Sequence, residues 1–211
     1  MQSLLPIFSI AGAIMIGAIS PGPSFVLVLR TSVAISRRAG LASALGMGVG
    51  GVIFGGLALF GLQALIAQVG WLYLVLKIAG GIYLIYLATR IWRGASEPLS
   101  VGSEAETVGG SFGRSFLIGL MTQLSNPKAA IVYGSIFAAL LPQHAPAWTF
   151  AILLPLLFLV EAGWYSIVAV AFSSAKPRAV YLRAKGWIDR LAGGVIAALG
   201  IKLIVESVRT H

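Results

Sequence analysis

The chain has 211 residues, of which 58% are apolar and only 10% charged. A soluble domain carries about 25% charged residues, so lipid must be the solvent for most of this chain. The formal charge is +9, but the basic residues sit between apolar runs, with no basic domain and no base-stacking motif, which argues for membrane orientation and against nucleic acid. Cysteine is absent, which excludes disulfides, thiolate metal sites and thiol redox chemistry within the chain.

A spanning helix needs about 20 mainly apolar residues. Leu4 to Leu29 is the first such run, and the first basic residue, Arg30, follows it. A cleaved signal peptide has its basic residues in front, so this run is expected to remain as a helix. It contains Ile19-Ser20-Pro21-Gly22-Pro23. Proline removes a backbone donor and clashes with the preceding turn, so the helix should break inside the bilayer and leave carbonyls and amides in need of partners.

The stretch Ala39–Leu76 is uncharged and too long for one span. Gln68-Val69-Gly70 divides it into spans near Leu41–Ala67 and Trp71–Ile91, the latter bracketed by Trp71 and Trp92 as an aromatic belt would be. In the second span Ala42, Gly46 and Gly50 recur every four residues, as do Gly51 and Gly55. That spacing suits tight helix packing. The run from Gly46 to Gly51 formally matches GxGxxG, but no βαβ unit surrounds it and no acid lies about 20 residues on, so no dinucleotide site is expected. Residues 93–114 are polar and read as a mobile loop. Ser115–Leu141 is the fourth span and contains a second proline break, Leu124-Ser125-Asn126-Pro127-Lys128. A short turn, Pro142–Pro146, leads to the fifth span, Ala147–Phe172, and Trp187–Val208 is the sixth.

Eleven Lys and Arg residues fall in loops one, three and five, and none in loops two and four. By the positive-inside rule the odd loops face the cytoplasm and both termini face outward. The halves also resemble each other. Lys77-Ile78-Ala79-Gly80-Gly81-Ile82 in the third span matches Arg190-Leu191-Ala192-Gly193-Gly194-Val195 in the sixth, and each half opens with a proline-broken span. Three spans per half force the second half to run the opposite way, the inverted repeat of many secondary transporters. The expected fold is an all-α polytopic membrane protein with six transmembrane helices as two inverted three-helix repeats. It forms one domain, 1–211, with repeats of about 1–92 and 115–211.

Broken helices at matching positions of two halves point to a transport site. Pro21, Gly22, Pro23, Asn126, Pro127 and Lys128 are therefore the expected substrate-binding residues. Glu161 reads as the only acid deep in a span. A carboxylate there is costly and by default functional, so it is assigned to proton coupling, with an ion pair to Lys128 or another buried lysine as the structural alternative. Lys77 and Lys202 lie nearer span ends and read as snorkelling residues. No Walker A motif occurs, and His144 and His211 lie in a loop and a tail. Neither catalytic residues, nor a metal site, nor a cofactor is expected, and an enzyme is the least favoured class.

Ser20-Pro21-Gly22-Pro23, Asn126-Pro127-Lys128, the run Leu76–Leu87, Glu161 three residues before Trp164, and Leu199-Gly200-Ile201-Lys202-Leu203 together resemble the LysE-type amino-acid exporter family, in its homoserine/threonine exporter (RhtB-like) branch. The resemblance covers nearly the whole chain. It implies proton-driven export of amino acids or related small zwitterions across the bacterial inner membrane by a six-helix protein. One departure stands at Gly51, near which many members carry an acid. The expected partners are thus an amino acid or derivative, protons and the lipid bilayer, with a homodimer possible through the glycine faces. The competing readings are a membrane interaction or assembly subunit that transports nothing, and a cation exporter.

Overall fold

A computed structural model of the chain describes residues 4–68, 70–97, 111–142 and 145–209; the side chains of 62–68, 70–73, 76 and 209 fall outside that description. All regular elements among the described residues are α-helices. In chain order they are α1 Leu5–Ile19, α2 Pro23–Ala34, α3 Arg37–Gln68, α4 Gly70–Gly94, α5 Phe112–Leu124, α6 Pro127–Leu140, α7 Ala147–Ala171 and α8 Ala175–Arg209.

The two proline sites end helices where proline chemistry requires it. α1 stops at Ser20, and α2 restarts at Pro23, bent by 60° from α1. α5 stops at Ser125, and α6 restarts at Pro127. In both restarts proline takes the first helical position, where its missing N–H costs no hydrogen bond. Pro155 lies inside α7, which continues through it.

The helices outrun the apolar segments. Arg30 lies in α2, Arg37 and Arg38 open α3, Arg93 lies in α4 and Arg114 in α5. The expected fifth loop is largely helical: Lys176, Arg178, Arg183, Lys185 and Arg190 form the first half of α8, leaving only Phe172–Ser174 as a connection. Hydropathy marks the lipid-facing length, whereas Ala, Arg, Leu and Lys are strong helix formers, and Pro177 sits in the first turn, where it is tolerated. α3 is described to Gln68 and α4 from Gly70; the expected break at Gln68-Val69-Gly70 turns on Val69, which lies outside the described residues. The Trp71 side chain, most of the 93–114 loop, His144 and His211 lie outside the described residues.

Among the described residues three helices, α3, α7 and α8, are long and apolar enough to cross a membrane, and α1 with α2 forms a fourth, bent candidate. The surface agrees with a lipid solvent. Leu5, Leu57, Phe60, Leu159, Leu191 and Val208 are all more than 60% exposed, while Ser20, Ser24, Gln123, Asn126, Glu161 and Asp189 are buried. A water-soluble fold of this size would not hold that many polar groups inside while turning so many large apolar side chains outward. The chain is a multi-pass membrane protein.

Small residues set the closest helix crossings. A Cβ at Gly46 would collide with the Phe116 carbonyl of α5, and one at Gly119 with the Ser43 backbone of α3. Gly81 and Gly200 face each other where α4 crosses α8: a Cβ on either would stand 2.9 or 2.7 Å from the other's carbonyl oxygen. The glycine stripes are therefore used within the chain, where they bring backbones together as in other membrane bundles. α3 lies between α5 and α7, α4 packs along α8, and α1 contacts α6 and α7. One apolar core joins Ile10 and Ile14 of α1 to Ile136 and Phe137 of α6 and Leu153 and Leu157 of α7. A second, aromatic core stacks Phe25 on Tyr181 and sets Phe172 beside both. The first helix break separates Ile14 of the first core from Phe25 of the second.

Candidate functional site

The breaks at Ser20–Pro23 and Ser125–Pro127 face each other across the bundle. Lys128, in the first turn of α6, extends past Gly22, and its Nζ donates to the backbone carbonyl of Ser20 at 2.9 Å. A Cβ at Gly22 would lie 3.5 Å from Lys128 Cδ and 3.6 Å from Nζ. The neighbouring freed carbonyl, that of Ile19, accepts from the Tyr181 hydroxyl of α8 at 2.8 Å. Two carbonyls released by the break are thus occupied by side chains from distant helices, which answers the requirement that intramembrane backbone groups find partners.

Asn126 caps α6. Its Oδ1 accepts from the backbone N–H of Lys128 at 3.0 Å and of Ala129 at 3.4 Å, and its Nδ2 donates to Ser24 Oγ at 3.0 Å. Ser24 Oγ in turn donates to Gln123 Oε1 at 2.7 Å. This buried chain ties the start of α2 to the end of α5 and the start of α6. Gly22, at the head of α2, supplies no side-chain cap.

Glu161 of α7 is 3% exposed. Its Oε1 accepts from the Tyr133 hydroxyl at 3.1 Å, and its Oε2 is buried with no hydrogen-bond partner among the described residues. The ion pairs among the described residues do not include Glu161; the structural alternative of a direct Lys128–Glu161 pair is not what the side chains form, because Lys128 is drawn to the Ser20 carbonyl. Gly51 of α3 faces this group. A Cβ there would stand 2.7 Å from the Tyr133 hydroxyl and 2.9 Å from Glu161 Cγ. Glycine at this position leaves the space that Tyr133 and Glu161 fill.

Two cavities meet at Lys128. A small one of about 30 Å³ runs among Ser24, Gln123, Asn126, Tyr133, Glu161 and Tyr165, with Lys128 in its wall; it has room for about two water molecules. A larger vestibule of about 490 Å³ is lined by Pro21, Gly22, Pro23, Asn126, Pro127 and Lys128, together with Arg90, Lys185 and Asp189. Ser20, Gly22, Asn126 and Lys128 line both. All six residues of the two proline motifs therefore come to one place, and Glu161 lies on the far side of Lys128.

Sequence reasoning passed over Asp189. It is 4% exposed, and its carboxylate accepts from Ser20 Oγ at 3.0 Å and from the Lys185 ammonium at 2.8 Å. Glu161 is thus not the only buried acid in the helical bundle. Asp189 stands four residues after Lys185 on α8, a helical ion-pair spacing, but it falls at the very start of the expected sixth span, beside basic residues counted with loop five, and Glu161 alone reads as deep in a span. Ser24, Gln123, Tyr133 and Tyr181 are uncharged and carry no sequence signal of their own.

The arrangement is a polar seam buried in an apolar bundle: two broken helices, one ammonium on a freed carbonyl, and two separate carboxylates. A family model for LysE type translocators matches residues 15–207. The chain belongs to this family. LysE type translocators are transporters, and the chain is not an enzyme. It is 34% identical over 204 residues to a threonine efflux protein of Salmonella typhi and, equally, to one of Escherichia coli strain K12, in each case over 96% of this chain and 99% of the relative. It is also 31% identical to an uncharacterized membrane protein of Escherichia coli, over 99% of this chain and 93% of the relative. No solved structure matches the chain.

Proposed function

We propose that the protein is a secondary transporter that exports small amino acids, threonine among them, across the bacterial inner membrane. The observation that carries this reading is the Lys128 ammonium set on the freed Ser20 carbonyl at the meeting point of the vestibule and the inner cavity. Unwound backbone carbonyls suit an ammonium and helix N-termini suit a carboxylate. The break therefore presents both preferences of an amino acid's main chain, with Pro21, Gly22, Pro23, Asn126, Pro127 and Lys128 around the substrate. The threonine efflux proteins of Salmonella typhi and Escherichia coli, matched over nearly their full lengths, support the substrate class.

Six spans in two inverted repeats, about 1–92 and 115–211 of one domain, suit this function. In that scheme α1–α2 and α5–α6 are the broken first spans, α3 and α7 the second, and α4 and α8 the third. The pairing of α3 with α7 and of α4 with α8 supports it. The distribution of Lys and Arg favours both termini outside and the vestibule, with Arg90 and Lys185 on its wall, toward the cytoplasm. Glu161 is the proton-coupling group in this reading. It lies beyond Lys128, hydrogen-bonded on one oxygen only among the described residues, beside a cavity that admits water. The principal glycine faces are used inside the bundle, so a homodimer would need another surface.

The test is efflux of labelled threonine from loaded vesicles under an imposed pH gradient. Substrate-dependent efflux that rises with the gradient is expected. Glu161→Gln should keep fold and binding but lose the response to the gradient. Unchanged coupling in that variant would remove Glu161 from the role, and a wild type without amino-acid flux would remove the exporter reading itself.

A further inference from the structure

Ser20 holds two opposite charges at its two ends. Its backbone carbonyl accepts from the Lys128 ammonium at 2.9 Å, and its hydroxyl donates to Asp189 at 3.0 Å. Both charged groups line the same vestibule of about 490 Å³. An amino-acid zwitterion carries the complementary pair on neighbouring groups, a carboxylate and an ammonium one carbon apart.

We propose that Asp189 is the receptor for the substrate's α-ammonium and Lys128 the receptor for its α-carboxylate, with Lys185 as an internal counter-ion that the substrate displaces. The proposal rests on the amino-acid exporter reading and specifies its recognition chemistry. Lys185 Nζ donates to Asp189 Oδ2 and to the carbonyl of Gly94, both at 2.8 Å. When a substrate ammonium takes Oδ2, Lys185 keeps the Gly94 carbonyl and is not stranded. Ser20 stays on Oδ1 and holds the carboxylate in place. A buried ion pair that serves only structure is replaceable by apolar packing at little or no cost in stability. This one lies on a vestibule wall, beside the break in α1, where a ligand can reach it. Val26, Leu87 and Ile91 line the same vestibule and offer apolar surface to a short side chain.

The test uses wild-type protein in vesicles, labelled L-threonine, and two unlabelled competitors: 2,3-dihydroxybutanoate, which has a hydroxyl in place of the ammonium, and threonine amide, which lacks the carboxylate. Wild type should be inhibited by unlabelled threonine and about tenfold or more weakly by either competitor. Asp189→Asn should raise the KM for threonine about tenfold or more while inhibition by the hydroxy acid stays as it was, so that the preference for the ammonium collapses. Asp189→Glu should restore part of that preference. Lys128→Gln should instead collapse the preference over the amide. A parallel loss toward all three compounds in Asp189→Asn marks a structural role and overturns the proposal. So does a wild type that accepts the hydroxy acid as well as threonine, a result that needs no variant to fold. A wild type with no amino-acid flux refutes the exporter reading beneath it; flux with unaltered discrimination in Asp189→Asn refutes this inference alone.

Discussion

The two broken elements solve the same problem in different ways. At the second break the chain caps itself: Asn126 accepts from the N–H groups of Lys128 and Ala129, and the cap is tied back through Ser24 to Gln123. At the first break nothing local does the work. The Ile19 and Ser20 carbonyls are covered by Tyr181 and Lys128, reaching in from α8 and α6, and Gly22 supplies no side-chain cap to α2. A self-capped helix end is a fixed scaffold. An end covered by side chains from other helices is one whose partners a ligand can exchange. On this view the second break is the support and the first is the binding surface, with Lys128 as the arm that joins them.

Variants can break or sharpen that contrast. The largest effect is expected from Lys128→Ala, which uncovers the Ser20 carbonyl and removes the cation that sits at the break; loss of a buried charge partner typically costs about 2–5 kcal/mol, so efflux in vesicles should fall about 100-fold or more. Gly51→Leu comes next. Its side chain must displace the Tyr133 hydroxyl and Glu161, which stand 2.7 and 2.9 Å from a Cβ at that position. Overpacking of this kind costs about 1–3 kcal/mol, to be read as a lower melting temperature, and the pH response of efflux should weaken with it. Asn126→Ala removes the cap of α6 and should cost about 1 kcal/mol of stability, with a smaller loss of transport than Lys128→Ala. If the two losses are equal, the second break is not merely support. Tyr181→Phe should be mildest, about 1 kcal/mol or less from one lost hydrogen bond, since Lys128 and Asp189 still hold Ser20.

Much of this contrast was legible in the chain. Proline at 21, 23 and 127 dictates where helices must stop, whereas the cap that Asn126 forms on α6 comes only from the structure. The glycine spacing of α3 foretold close packing, which Gly46 and Gly119 realise against α5 and α3. What was hidden depends on three-dimensional convergence. Asp189 sits at the edge of the expected sixth span with basic residues around it, yet α8 runs through that region unbroken and turns Asp189 onto Ser20 across 169 residues of sequence. Gly51 looked like a missing acid; its meaning lies in the Tyr133 hydroxyl that fills its space, and no spacing rule relates residues 51 and 133.

The absence of cysteine makes the central contrast directly measurable. Single cysteines at Gly22 and Ser125 place one thiol at each break; a Cβ at Gly22 meets Lys128 only at ordinary contact distance, and Ser125 is exposed. Labelling each with a small hydrophilic thiol reagent, with and without threonine, separates binding surface from support. Threonine should slow labelling at Gly22→Cys and leave Ser125→Cys unchanged. Equal protection at both positions, or none at Gly22→Cys in protein that still exports threonine, would contradict the assignment of the first break as the substrate-binding surface.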